Sequence, residues 1–269
     1  MKNILGFKIY SPVDCVYHIL DPLGTYATLV VGSRESLLVD TCTGCGSLKA
    51  AVETLTDAPV RVVNTHSHLD HAGGNYQFPK VFMDPSEIEL GRQYMENMDI
   101  RTAVLQHFDK LGCSMGSAQK AQYLSYQMEN VSPLPFGEID LGDIHVLPVK
   151  MPSHTPGMTG FLVKEKQLLL GGDSVCQMAC LYFPESSSIE AHLKLLREIS
   201  KLRFSHILTS HSKELLDRDN LEAMIECAEN YASDQTCNYS DRFYPQLRGR
   251  MFLYESKKHR HAIIVARNG

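Results

Sequence analysis

The sequence predicts an α/β fold, and three observations point to it. Strand-like and helix-like segments alternate along the whole chain, but irregularly, without the even strand-helix beat of a parallel barrel. The 269 residues are 43% hydrophobic, ample for a packed core. No internal repeat, low-complexity tract or Pro/Gly-rich linker interrupts them.

Taken in order, Ala27–Val31 and Ser36–Asp40 read as a hairpin around a Gly32-Ser33-Arg34 turn, feeding a glycine-bearing loop from Thr41 to Gly46. Ser47 is placed to cap a helix that puts Leu48, Ala51, Val52 and Leu55 on one face. Val60–Val63 is a short β-branched strand ending in Asn64-Thr65. Asp84-Pro85 opens a second helix, with Glu87 as the capping-box partner of Asp84. Residues 99–130 read as helices interrupted at Gly112 and Gly116, a helical insertion or lid closed by Pro133-Leu134-Pro135. Ile144–Val149, Gly160–Val163 and Gln167–Leu170 follow as strands. Residues 188–202 form an amphipathic helix with apolar positions 189, 193, 196 and 199. His206–Thr209 is a strand, Asn220–Tyr231 a helix, and Arg250–Tyr254 with Ala262–Ala266 a terminal hairpin.

Charge excludes some functions. With 26 Lys+Arg against 31 Asp+Glu the formal net charge is −5, so the basic surplus of a nucleic-acid binder is missing. The first ten residues hold no run of signal-peptide length, and no segment approaches the ~20 apolar residues of a membrane span. The expectation is a cytoplasmic protein without membrane contact. Eight cysteines lie well below the ~8–10% of disulfide-built scaffolds, so reduced thiols are expected. Cys42/Cys45 and Cys176/Cys180 are spaced like zinc half-sites, or are simply small buried residues near loops.

Directly after Val60–Val63 comes Thr65-His66-Ser67-His68-Leu69-Asp70-His71-Ala72-Gly73-Gly74. Three histidines and an aspartate within six residues, between a strand and a Gly-Gly turn, suit a metal better than a core. His66 and His68, alternate on an extended loop, can face one ion, while Asp70 and His71 are offset toward a second. Three more strand ends each offer one ligand: His154 in Pro152-Ser153-His154-Thr155-Pro156-Gly157, Asp173 after Gly171-Gly172, and His211 after Thr209-Ser210. Loops at strand ends are where such residues converge. Ser153, Thr155 and Ser174 read as turn and cap residues rather than nucleophiles, and His18, His107, His145, His192, His206, His259 and His261 lack motif context.

The order His-x-His-x-Asp-His, His, Asp, His resembles that of the metallo-β-lactamase superfamily, over residues 27 to 211 with every ligand position filled. The resemblance implies an αββα sandwich of two mixed sheets flanked by helices, in a single domain over residues 1–269 with metals at one sheet edge. It implies that His66, His68 and His154 bind one ion, that Asp70, His71 and His211 bind a second, and that Asp173 bridges them. Oxygen and nitrogen donors suit two zinc ions, but also iron or manganese. Asp40, at the end of its strand, is expected to hydrogen-bond a ligand histidine or the motif backbone, or else to be a plain turn residue.

The chemistry so implied is dinuclear metal-assisted hydrolysis, with a bound water brought toward a pKa of ~7 and Asp70 orienting it or passing its proton on. A small-molecule ester, thioester or lactone is the expected substrate, in the manner of the glyoxalase II and lactonase branches. The chain departs from both: Ser67 stands where glyoxalase II usually has His, and Cys176 where lactonases carry a Tyr after the bridging Asp. An iron-dependent oxidoreductase on the same fold is the alternative; flavodiiron enzymes, however, have Glu at the position of Asp70. A homodimer stays open. Specificity is expected in 99–130, 176–184 and 237–250, with Met95, Met98, Tyr123, Tyr126 and Met128 either lining an apolar pocket or packing in the core.

Overall fold

Phe7, Ile9, Ile19, Leu29 and Leu38 face one buried cluster from four successive strands, and that pattern fixes the register of a sheet. The structure, a computed structural model, describes residues 2–240, 247–256 and 258–266. Its contacts divide into two compact units: Met1–Pro148 with Val163–Lys166 and Ser210–Lys213, and Val149–Leu162 with Gln167–Thr209 and Glu214–Gly269.

The first unit holds an eight-stranded sheet in chain order: β1 (Lys2–Ile4), β2 (Phe7–Val13), β3 (Val16–Leu20), β4 (Tyr26–Val31), β5 (Ser36–Val39), β6 (Val60–Val63), β7 (Val81–Met83) and β8 (Val131–Pro133). Pairing is antiparallel as far as β5 and parallel from β5 to β8. The parallel half needs crossovers, which α1 (Leu48–Glu53), α2 (Leu69–Ala72), α3 (Pro85–Met95), α4 (Met98–Lys110) and α5 (Ser117–Leu124) supply. Helix α1 buries Leu48, Ala51 and Val52 as its spacing predicts, although the Ser47 side chain makes no capping bond. Strands β1 to β3 and β7 are not among the elements read from the sequence, although Asp21-Pro22-Leu23-Gly24 after β3 is a turn signal.

Helices α4 and α5 occupy the predicted insertion. Their apolar sides are buried: Val104, Leu105, Phe108 and Tyr123 share a cluster with Met95, Tyr126 and Met128, and with Leu69 and Ala72 of α2. Met98, by contrast, is exposed. Arg101 is fully buried there, its guanidinium 4.0 Å from the Tyr123 ring centroid. After β8, β9 (Ile139–Asp140) pairs antiparallel with the start of β10 (His145–Lys150).

In the second unit, β11 (Thr159–Val163) and β12 (Leu168–Gly172) are followed by β13 (Met178–Leu181), α6 (Ile189–Ile199), β14 (His206–Thr209), β15 (Leu216–Asp217) and α7 (Asp219–Glu229). Then come β16 (Cys237–Ser240), β17 (Arg248–Glu255) and β18 (Arg260–Ala266). Strands β15, β14, β12 and β11 lie side by side in that order, and β13, β18, β17 and β16 form a second sheet. Ser188 caps α6 by accepting from the Ala191 N–H. Leu195, Leu196 and Ile199 of α6, Leu221 and Met224 of α7, and Leu169, Ile207, Phe252 and Ile263 of the sheets make one core. The stretches 176–184 and 237–250, where specificity is expected, contain β13, β16 and the start of β17; residues 241–246 of the second lie outside the described residues. Among the described residues no helix is long and apolar enough to cross a membrane.

Candidate metal centre

Strands β5 and β6 run parallel with Val39 opposite Val63, so their next residues emerge at one sheet edge. Asp40, in the left-handed region at φ 66°, bonds back through its N–H to the Val63 carbonyl at 2.8 Å. One Asp40 oxygen accepts the Thr65 N–H at 2.7 Å, and the Thr65 hydroxyl lies 3.0 and 2.9 Å from the two oxygens. The other oxygen is 2.9 Å from His71 Nδ1.

These bonds assign tautomers. A carboxylate only accepts, so the Thr65 hydroxyl donates to Asp40 and offers its lone pair to His66 Nδ1, 3.0 Å away. His66 and His71 therefore both carry their proton on Nδ1 and keep a basic Nε2 for a ligand. The His71 carbonyl accepts the Thr41 N–H at 2.7 Å and the Asn64 amide at 3.1 Å, while the Thr41 hydroxyl, 3.1 Å from it, donates to Asn75 Oδ1 at 2.8 Å. Gly73 and Gly74 let α2 press on this loop, since a Cβ at either would lie 2.3 Å from the carbonyl of Thr43 or Thr41.

The rings of His66 and His68 are 4.7 Å apart, those of His66 and His71 4.0 Å, and those of His71 and His211 5.3 Å. Asp70 Oδ2 stands 3.5 Å from His71 Nε2, 3.6 Å from His211 Nε2 and 3.5 Å from the Thr25 hydroxyl. The ligand atoms of Asp70, His71 and His211 all lie within 4.8 Å of one another. One carboxylate and two imidazoles at that spacing fit a divalent cation of the zinc, iron or manganese type. The His211 loop is tied on both sides: the Ser210 carbonyl accepts from the Tyr26 N–H at 2.9 Å, and the Ser212 carbonyl lies 3.0 Å from His18 Nε2. Buried His18, stacked on Tyr26 with its Nδ1 2.9 Å from the Thr28 hydroxyl, was not found by motif. Only the sheet register, with His18 opposite Thr28, reveals it.

In the second unit His154 Nε2 lies 3.8 Å from Asp173 Oδ2. The Cys180 carbonyl accepts from His154 Nδ1 at 2.7 Å, again leaving Nε2 basic. Ser174 Oγ accepts the His154 N–H at 3.3 Å and donates to the Met151 carbonyl at 2.9 Å, the turn role expected of it. Ser153 bonds His192 Nδ1 at 2.7 Å; burial lowers His192 to a pKa of about 4, so this histidine is neutral at pH 7.

The cysteines are free thiols among the described residues. Burial raises Cys42 well above its ordinary value and Cys45 to about 12, which favours the thiol over a metal-binding thiolate. Cys176 Sγ lies 3.3 Å from the Asp173 carbonyl. Glu87 does not close a capping box: Asp84 caps α3 through the Ser86 N–H, and the Glu87 carboxylate instead accepts from Ser67, inside the motif.

The sequence profile of the Metallo-beta-lactamase superfamily matches residues 20–211, more than half of the chain. The chain belongs to that superfamily. Acyl-coenzyme A thioesterase MBLAC2 of Bos taurus is 26% identical over 223 residues, covering 76% of this chain and 77% of the relative, and the Homo sapiens protein of that name matches to the same extent. Among solved structures, a metallo-beta-lactamase from Pontibacter korlensis superposes with a TM-score of 0.59 at 13% identity, covering 84% of this chain and 100% of that one. One from Erythrobacter litoralis, with beta mercaptoethanol in its active site, gives 0.59 at 17% identity, covering 86% and 99%. These likenesses establish the fold: mixed sheets flanked by helices, the αββα arrangement of the superfamily.

Proposed function

We propose that this protein is a metal-dependent hydrolase acting on a thioester of a small molecule, with acyl-coenzyme A esters the first class to test. The observation that carries the reading is the convergence of Asp70, His71 and His211 within 4.8 Å, with His71 held in a ligand tautomer by Asp40. Family membership and the ligand order support a dinuclear centre in which His66, His68 and His154 serve one ion, Asp70, His71 and His211 the other, and Asp173 bridges. The thioesterase relatives favour a thioester over a lactone or simple ester.

Divalent ions at such a site supply Lewis acidity and bring the pKa of water near 7. The chain's own residues do the rest. Asp40 and Thr65 hold His66 and His71 with their basic nitrogens outward, and the Cys180 carbonyl does the same for His154. Asp70, its side chain about a quarter exposed at 23%, turns Oδ2 toward His71 and His211 and can orient an attacking water and take its proton with its other carboxylate oxygen. The thiolate of coenzyme A is a good leaving group and needs little protonation, so no further acid is required.

The test measures bound metal beside turnover on a panel of acyl-coenzyme A esters, lactones, phosphodiesters and cephalosporins. Thioester turnover that disappears in His66→Ala and Asp173→Ala is the expected result. Full activity in a metal-free variant would sink the proposal. Bound iron with oxygen consumption on a thiol, and no hydrolysis, would replace it by the oxidoreductase.

A further inference from the structure

The face that α3 turns toward the metal motif makes polar and aromatic contacts as well as apolar ones. Glu87 is fully buried, and its Oε2 accepts both the Ser67 N–H at 3.0 Å and the Ser67 hydroxyl at 2.7 Å. One turn further on, a Cβ at Gly91 would come within 2.8 Å of the Met128 side chain and 3.1 Å of Ser67 Cβ, so the helix runs close to the motif at this point. Another turn on, the ring of Tyr94 meets that of His68 edge-on at 4.9 Å. Positions 87, 91 and 94 share one face of a helix. That face therefore grips the two consecutive residues Ser67 and His68, which follow His66.

A buried carboxylate is costly unless it is hydrogen-bonded. Here its Oε2 accepts twice from the residue between two histidines. The motif runs extended at this point, so the Ser67 backbone sets the directions in which His66 and His68 leave it. We infer that Glu87 is a positioning residue: by fixing Ser67 it sets the mutual geometry of the His66 and His68 rings and hence the affinity of the ion they hold.

The inference rests on the metal-hydrolase reading, and a wild-type metal count tests that reading separately: a protein that takes up no zinc, iron or manganese overturns both. The experiment compares wild type, Glu87→Gln, Glu87→Ala and Ser67→Ala as full-length proteins. It reads the thermal midpoint of the metal-stripped form, zinc affinity by competition with a chromophoric chelator, and the visible spectrum after cobalt loading. Glu87→Gln keeps an oxygen that can accept both Ser67 bonds, so its zinc affinity should stay within about threefold of wild type. Glu87→Ala should lose about 10–100-fold, the usual cost of removing a partner behind a ligand, with an altered cobalt spectrum. Ser67→Ala removes the hydroxyl bond alone and should fall between them. It also keeps the inference testable if Glu87→Ala does not fold. Variants that lower the thermal midpoint while zinc affinity and the cobalt spectrum match wild type would show a merely structural carboxylate. Equal losses in Glu87→Gln and Glu87→Ala would show that charge, not position, is what matters; either result overturns the inference.

Discussion

Asp40 shows how much one side chain can settle. It takes a left-handed backbone conformation at φ 66° and, from there, serves the Thr65 N–H, the Thr65 hydroxyl and His71 Nδ1 with two oxygens. Asn tolerates the same φ, so Asp40→Asn isolates the hydrogen bonding from backbone strain. It should cut metal affinity by about 10–100-fold and destabilise by about 1–3 kcal/mol, because an amide cannot accept on both sides. Metal retained after dialysis against a chelator and the urea midpoint check this; retention equal to wild type would contradict it. His261 gives a pH prediction. Burial lowers its pKa from 6.5 to about 4, so the folded state resists a proton that the unfolded chain takes up. Its contribution to stability is thus complete above pH 6.5 and declines as the pH falls toward 4. The urea midpoint of metal-stripped protein should drop over that window, and His261→Leu should flatten the drop.

At the scale of elements, the predicted insertion is an integral part of the first unit. Phe108 of α4 is buried in the cluster that includes Leu69 and Ala72, the residues flanking Asp70 and His71 on α2. Phe108→Ala should therefore cost about 3–5 kcal/mol. A loss of under about 1 kcal/mol in a chemical melt would instead mark α4 as a detachable cover, since surface changes away from such packing cost little. The Gly73-Gly74 pair carries a similar message, because its closeness to the Thr41–Gly44 loop leaves no room for a side chain. Gly73→Ala should cost about 1–3 kcal/mol through overpacking, read from the thermal midpoint.

For the whole molecule, a ligand that binds only the folded state stabilises it by mass action. At zinc concentrations about 100 times the dissociation constant, the free energy of unfolding should rise by about 2.7 kcal/mol over the stripped protein. The thermal midpoint of wild type should climb with added zinc, and His211→Ala should blunt that climb. A midpoint indifferent to zinc in wild type would count against a metal centre.

How much of this was legible beforehand differs by residue. Imidazole and carboxylate announce themselves by type, and the spacing of His66, His68, Asp70 and His71 is local, so the motif could be read without any fold. Strand ends at Asp40, Asp173 and His211 were equally plain, because β-branched and leucine runs stop there. What each side chain bonds to was not. Glu87 has the spacing of a capping residue, yet its partner lies 20 positions back at Ser67, and His18 meets a loop 194 positions away. Cys180 serves His154 through its carbonyl, which no residue type betrays. The sequence by itself thus determined which side chains are candidate ligands, since ligand chemistry resides in side chains at short range. The tertiary structure alone decided which tautomers those ligands hold and what fixes them, because hydrogen bonds across long loops form only once the sheet has set its register.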